Sequence, residues 1–404
     1  MSSRLPAYYV ASTKPPAIAP SYDIVALVSN DLVTDQRMQR CLTSLTRDGY
    51  ACLLLGRERA GSKPLDPSLP FRQERHILTA ERGKRFYLQL NRAHRARLIE
   101  LRPRAILVVD LDTMWAGATA ASALGVPWVY DAHELFTEVP EVRARWWIRA
   151  AWSLLARRYV RRAAAVYTVG GEIARRLAAE YGLREVGVVR NFPWLAEREP
   201  AGELRGEKSD LPPLAAEDVD QQRMIVLYQG ALNAGRGLEE LVRAAAQLPE
   251  VRFWIVGGGY RSDELRALAT GLGVPNVRFF GELPPKRLRH ITPHASLGYA
   301  LMQHLGDNYF LSLSNKSIDY IHAGIRSLQM DWPEYRRIAE AYPGVFHLVS
   351  ELSPTHIASA VHDERSRNTA PRVFAKAKRR LCWESESERL LRIWRSVLPP
   401  QIED

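Results

Sequence analysis

Long hydrophobic runs are missing from this chain: no window of it approaches the roughly 18 consecutive apolar residues that a membrane-spanning helix requires. The opening MSSRLPAYYVASTKPPAIAP has prolines where a secretory signal would carry an unbroken apolar stretch. A cytoplasmic protein is therefore expected, at most peripheral on the inner face of a membrane. Cysteine is scarce as well. Cys41, Cys52 and Cys382 are odd in number and far apart, which excludes a disulfide framework and a cysteine zinc site. There is no internal repeat of solenoid length, and no low-complexity tract beyond a polar segment near residues 195–222. Negative charge is in deficit. The net +11 favours partners that carry phosphate, whether nucleic acid, anionic lipid or a phosphorylated small molecule. The arginines are spread over helices without interleaved base-stacking aromatics, so a nucleic-acid partner is not expected.

What the chain does have is alternation. With 404 residues and 46% apolar composition it exceeds a single ordinary core, and two comparable domains are expected. From Tyr22 onward, short β-branched runs alternate with helical periodicity: YDIVALVS, a helix over 34–48, YACLLLG, then AILVVD (105–110), PWVYDA (127–132), AVYTV (165–169) and VGVVRN (186–191). The same grammar restarts after the polar segment with MIVLYQG (224–230), RFWIVGG (252–258), VRFFG (277–281), SLGYAL (296–301), RSLQM (326–330) and GVFHLV (344–349). Such alternation marks parallel sheets covered on both faces. The fold class is therefore α/β, two Rossmann-like domains with a cleft between them. The domains are placed at 1–200 and 223–380, with a linker at 201–222 and a last helix within 381–404 packing back on the first domain.

Ligands of open α/β sheets bind beyond the carboxyl ends of the strands. That rule singles out Asn30 and Asp31, Asp110 and Asp112, the run Asp131 to Glu134, Gly230 to Gly237 and Gly257 to Gly259. GGG at 257–259 does not continue as GxGxxG, and no acidic residue follows at the ribose position, so a nicotinamide site is not expected. The stretch LSLSNKSIDYIHAG (311–324) reads as a loop turning into a helix, with Asn315, Lys316 and Asp319 on one face. Its ordinary reading is a helix capped by Ser314. The functional reading adds that a helix start and Lys316 together suit a diphosphate, while Asp319 suits a ribose. In YQGALNAGRGLEELVRA, Gly230 and Gly235 to Gly237 bracket Arg236, which can grip two phosphate oxygens.

On the first-domain side, YDAHELFTEVPEV (130–142) crowds Asp131, His133, Glu134 and Glu138 at a strand exit, where His133 can meet a sugar hydroxyl. Asp110-x-Asp112 has the spacing of a nucleotide-bound cation site, but Arg236 and Lys316 already supply the phosphate chemistry, so no metal is expected. Residues 141–162, EVRARWWIRAAWSLLARRYVRR, form a helix with Trp147, Ala151, Leu154 and Leu155 on one side and Arg145, Arg149, Arg157 and Arg161 on another. Two readings apply: the Trp147 side packs on the core beneath a solvated basic face, or the helix lies on an anionic membrane surface.

Taken in order, SNDLVTDQRMQRCLTSLTRDGY, DLDT, YDAHELFTEVPE, VYTVGGEIA, VVRNFPW, YQGALNAGRGLEELVRA, VGGG, NYFLSLSNKSIDYIHAG and CWESESERLLRIW resemble GT-B fold glycosyltransferases, specifically bacterial glycosyltransferase family 4. The resemblance implies hexosyl transfer from a nucleotide sugar, UDP- or GDP-linked, to a carbohydrate or lipid-linked hydroxyl in cell-surface polysaccharide or glycolipid synthesis. It implies retention of anomeric configuration, and neither a metal nor any cofactor beyond the donor. By position, Arg236 and Lys316 look like the diphosphate pair, Asp319 like the ribose carboxylate and His133 like the histidine near the transferred sugar. Gly230, Gly257 and Asn315 line the nucleotide side, and Asn30 and Asp31 border donor and acceptor. The sequence departs from the family at three places. Leu311 stands where a glutamate commonly holds the donor sugar, Ser314 where proline is frequent, and Arg326 where the residue is usually small or apolar. Those departures leave a noncatalytic glycosyltransferase-like partner as the alternative.

Overall fold

A computed structural model describes residues 22–195, 212–365 and 370–399. The expectations for the opening stretch and for most of the linker, residues 201–211, lie outside the described residues. The chain divides into two units, Met1–Asn191 with Glu386–Asp404, and Phe192–Ser385.

The first unit holds seven strands: β1 Ile24–Leu27, β2 Cys52–Glu58, β3 Arg72–Ile77, β4 Ala105–Val109, β5 Trp128–Ala132, β6 Ala165–Thr168 and β7 Gly187–Val188. They form a parallel sheet in the order β3-β2-β1-β4-β5-β6-β7. Strands β1, β4 and β5 are buried along their whole length, which is why they read as apolar runs, interrupted only by the buried Asp131 of β5. Strand β3 was not anticipated. Its sequence, RQERHI, is mostly charged because it sits at the sheet edge, where charges discourage pairing with another chain. Arg97 holds Glu74 of β3 with two hydrogen bonds, at 2.8 and 2.9 Å.

The second unit holds β8 Ile225–Gln229, β9 Arg252–Val256, β10 Val277–Gly281, β11 Leu297–Tyr299, β12 Arg326–Met330 and β13 Phe346–Val349. This sheet too is parallel, in the order β10-β9-β8-β11-β12-β13. Each sheet therefore reverses its winding once, between β1 and β4 and between β8 and β11. The strand exits flanking such a reversal are where ligands of doubly wound sheets bind.

Part of the expected linker belongs to the second unit. Helix Pro213–Asp220 brings a fully buried Asp218 to Arg252 at 3.0 Å, Arg278 at 3.2 Å and the Trp254 indole N–H at 2.9 Å. At the other end of the chain, Tyr50 Oη donates to Leu398 O at 2.6 Å and Arg395 pairs with Asp48, so residues after Glu386 group with the first unit. Arg326 is also accounted for. It pairs at 2.8 Å with the buried Glu364, which accepts a second bond at 2.7 Å from His347 Nδ1.

The basic helix differs from its core-packed reading. It breaks into Pro140–Arg143, Trp146–Tyr159 and a short turn Val160–Arg162. The inward side carries Trp152, whose ring meets Tyr87 at 5.3 Å and Phe136 at 5.0 Å, and the buried Ala156. Trp147, Ala151 and Leu154 point outward and are exposed. Both sides of this helix are apolar, so spacing alone does not say which one packs.

Candidate functional site

In the second unit the candidate residues gather at the exit of β8. Gly257 runs so close to β8 that a Cβ there would lie 1.9 Å from the Gly230 carbonyl oxygen, and its φ is +141°. Only glycine fits both demands. Gly257→Ala should cost about 3 kcal/mol or more, read as a lower chemical-denaturation midpoint of the second unit.

Helix Asn315–Ala323 starts at Ser314, yet the Ser314 side chain makes no capping hydrogen bond. Its backbone N–H donates instead to Tyr335 Oη at 3.1 Å. The ordinary capped reading is thus corrected: the Ser314 hydroxyl does not cap the N–H groups at this helix start. Asn315 is exposed at the first position. Lys316 folds back on β8, its Nζ 3.3 Å from Tyr228 Oη and 4.3 Å from the centre of the Tyr228 ring. The Gly230 backbone lies directly beneath, and a Cβ added to that glycine would stand 3.4 Å from Lys316 Cε.

Burial, helped by the positive charge of Arg236 and opposed by Asp319, lowers the Lys316 pKa to about 7. The Arg236 guanidinium stands 5.2 Å over the Tyr309 ring, with Nη1 3.4 Å from Met302 Sδ. Its Nε is buried and has no hydrogen-bond partner among the described residues. A buried donor left unpaired is costly, and a lysine whose charge is disfavoured by a neighbouring guanidinium makes an arrangement that an anion would relieve. Asp319, one turn into the helix, accepts from Gln229 Nε2 at 3.4 Å. Tyr228 and Tyr309, which form the aromatic floor beneath the two cations, were not foreseen. A tyrosine in an apolar strand reads as core, and only the fold shows that its hydroxyl end reaches Lys316.

In the first unit His133 is fixed from two directions. Its backbone N–H donates to Asp110 Oδ1 at 2.9 Å and its ring Nε2 lies 3.1 Å from Asp131 Oδ2. Asp131 is wholly buried and is gripped by Arg37 through Nε at 3.1 Å and Nη2 at 2.8 Å. Burial pulls the His133 pKa down, but Asp131 and Asp110 outweigh it and hold the value up to about 9. Burial pushes Asp131 up, and Arg37 with His133 outweigh that and bring it down to about 2. His133 is therefore an imidazolium at neutral pH, with Nε2–H donating to Asp131. Its Nδ1 is 3.9 Å from Asp110 Oδ2, beyond hydrogen-bond length, and so has a proton to offer a hydroxyl.

Asp110 and Asp112 have another occupation. Asp110 adopts φ +53° to present its carboxylate to His133, and burial raises its pKa well above the ordinary range. Burial likewise raises Asp112, to about 6. Among the described residues no three His, Cys, Asp or Glu side chains are grouped so as to hold a metal ion. Glu138 is taken up by Arg149 and, at 3.9 Å, Arg143. Asn30 and Asp31 hold their own loop. Asn30 Nδ2 donates to Asp35 Oδ2 at 2.6 Å and its Oδ1 accepts from Leu32 N at 2.9 Å, while Asp31 Oδ2 accepts from Ser62 Oγ at 3.2 Å. Arg37 was missed because nothing local links it to Asp131, 94 residues away.

Two family models match the chain, glycosyltransferase family 4 over residues 36–192 and glycosyl transferases group 1 over residues 215–303. The lipopolysaccharide core biosynthesis glycosyltransferase LpsE of Rhizobium meliloti (strain 1021) is 34% identical over 110 residues. That stretch is 27% of this chain and 29% of LpsE, so the chain spans under a third of this curated relative. Among solved structures, Anabaena Alr3699/HepE in complex with UDP and glucose superposes with a TM-score of 0.70 at 16% identity, covering 93% of this chain and 100% of that one. Sucrose-phosphate synthase from Thermosynechococcus elongatus gives 0.68 at 16% identity, covering 93% and 96%. Lipopolysaccharide outer core galactosyltransferase WaaB gives 0.63 at 11% identity, covering 92% and 99%. At these identities the likeness is one of fold.

Proposed function

We propose, from the premise that this chain is a GT-B fold glycosyltransferase resembling family 4, that it moves a hexosyl group from a nucleotide sugar to a hydroxyl acceptor. The donor is a UDP-sugar in the first instance, a reading supported by the UDP and glucose held by the Anabaena relative. Cell-surface polysaccharide or glycolipid synthesis is supported by the lipopolysaccharide role of LpsE. Transfer proceeds with retention and without metal.

One observation carries this reading: Arg236 and Lys316 stand close enough to depress the Lys316 pKa, with a buried Arg236 donor unpaired. As the bond from sugar to diphosphate breaks, negative charge grows on the departing phosphate. Cations already in place, partly shielded from water, stabilise that charge most when it is fullest. Asp319 holds the ribose. His133, protonated and oriented by Asp131 and Asp110, donates from Nδ1 to a hydroxyl of the transferred sugar. The acceptor hydroxyl attacks the anomeric carbon from the face the diphosphate leaves, and its proton passes to the departing phosphate oxygen.

Leu311 favours the alternative of a noncatalytic partner, and the test separates the two. UDP, GDP, ADP, CMP and dTDP are compared by thermal shift in the presence of a chelator. A ligand at 100 times its Kd stabilises by about 2.7 kcal/mol, a shift of about 5 °C or more. One diphosphate is expected to give it, UDP first, and Arg236→Ala to lose it. No shift with any of the five would sink the reading. Binding without hydrolysis or transfer from the matching sugar donor would leave the noncatalytic partner.

A further inference from the structure

Helix Trp146–Tyr159 carries an exposed face that the proposed chemistry does not use. Trp146 is 75% exposed, Trp147 57% and Leu154 71%, the most conspicuous apolar exposure on one element of the described chain. The two indoles meet edge to face with ring centres 6.0 Å apart. At about 1.5 Å per residue the helix is about 21 Å long, so this strip runs along the surface rather than capping a point. Monomeric proteins seldom leave such a strip bare without a partner for it.

The surrounding charge says which partner. Arg145, Arg157, Arg158 and Arg161 are exposed on the same segment and have no carboxylate partner among the described residues. A groove of about 650 Å³ beside the strip is lined by Trp146, Leu154, Arg149, Arg157 and Arg176. Its two acids are already matched, Glu138 by Arg149 and Glu180 by Arg176 at 3.8 Å. The groove therefore keeps an excess positive charge from Arg157. A second copy of the chain seated here would bring arginine against arginine. Tryptophan prefers the boundary between headgroup and acyl chain, and arginine can reach phosphates from a buried stem.

We propose that this face docks on an anionic lipid bilayer, with Trp146, Trp147 and Leu154 entering the acyl boundary and Arg157, Arg158 and Arg161 meeting headgroup phosphates. No helix among the described residues is long and apolar enough to cross a membrane, so the contact is a surface one. It does not depend on the nucleotide-sugar reading.

The test is vesicle co-sedimentation of the full chain at about 0.1 M salt, with equimolar phosphatidylglycerol and phosphatidylcholine against phosphatidylcholine alone. Binding is expected only to the anionic vesicles, with quenching of tryptophan fluorescence by brominated acyl chains. The pair Trp146→Ser with Trp147→Ser should lower partitioning about tenfold or more, and Arg157→Gln with Arg158→Gln and Arg161→Gln about a hundredfold. Both variants alter exposed side chains, and an unchanged melting temperature and UDP shift would show the fold and the nucleotide side intact. Inorganic phosphate should not displace the bound protein at equal ionic strength. Absence of vesicle binding overturns the proposal. So does binding that the tryptophan pair leaves unchanged, which would be diffuse attraction to a basic protein, and so does self-association that this pair abolishes without any vesicle binding.

Discussion

Lys316→Met will weaken nucleotide diphosphate binding and at the same time make the empty protein more stable. The ordinary lysine pKa is about 10.4, and burial in the folded chain lowers Lys316 to about 7. Between those values the unfolded chain holds a proton that the folded chain does not. The residue's contribution to stability is therefore least favourable below pH 7 and improves as pH rises toward 10.4. Methionine keeps the stem's packing over Tyr228 and removes the buried charge. The variant should melt about 3 °C or more above the parent at pH 6 to 7, and the gap should close by about pH 10. Binding moves the other way. Loss of a charge-assisted contact to phosphate should weaken the diphosphate about thirtyfold, and turnover should fall about a hundred- to a thousandfold. The parent's own affinity should decline as pH climbs from 7 to 9, because Lys316 must regain a proton to meet a phosphate that is fully ionised there. Calorimetry in two buffers of different ionisation heat reads that proton uptake directly. A flat affinity over this window, or a variant less stable than the parent at pH 6, would show that the charge of Lys316 is not the one held in reserve.

The second-unit cluster was legible because its parts are local. Arg236 lies a few residues past the exit of β8, and Asn315, Lys316 and Asp319 share one turn of one helix, so strand order alone brings them together. Parallel strands buried on both faces announce themselves as apolar runs, and β1, β4, β5 and β8 were readable for that reason. Strand β3 was not, because its edge position calls for charge rather than apolar residues. The orientation of helix Trp146–Tyr159 was ambiguous for a different reason. Trp152 and Ala156 make one apolar stripe, and Trp147, Ala151 and Leu154 make another. Sequence spacing finds both stripes but does not rank them, and the ring contacts of Trp152 with Tyr87 and Phe136 decide the matter. The Ser314 cap was read from residue type, whereas the Tyr335 hydroxyl that takes its backbone N–H is contributed from 21 residues downstream.

Asp131→Asn should be the most damaging single change in the first unit, and its effects separate stability from positioning. The Asp131 side chain is 0% exposed and that of Arg37 4%, so the amide would leave a buried guanidinium without its counter-charge. Breaking one side of such a pair costs about 3–5 kcal/mol, a fall of about 6–20 °C in the melting temperature of a unit this size. His133 loses its ring partner in the same step. Its pKa, held up to about 9 by Asp131 and Asp110 against burial, should drop through neutrality, which proton NMR titration of the imidazole would follow. At pH 7.5 the ring would then be largely neutral, and turnover should fall about a hundredfold with little change in donor affinity. The compensated variant Arg37→Met with Asp131→Leu isolates the second effect. Replacing a buried ion pair by apolar side chains of similar volume is often neutral or stabilising, so the melting temperature should recover much of its loss. Neither the imidazole pKa nor turnover should recover with it, because no carboxylate faces Nε2. If turnover returned along with stability, Asp131 would be a packing element only, and the proton on His133 would play no part in handling the sugar.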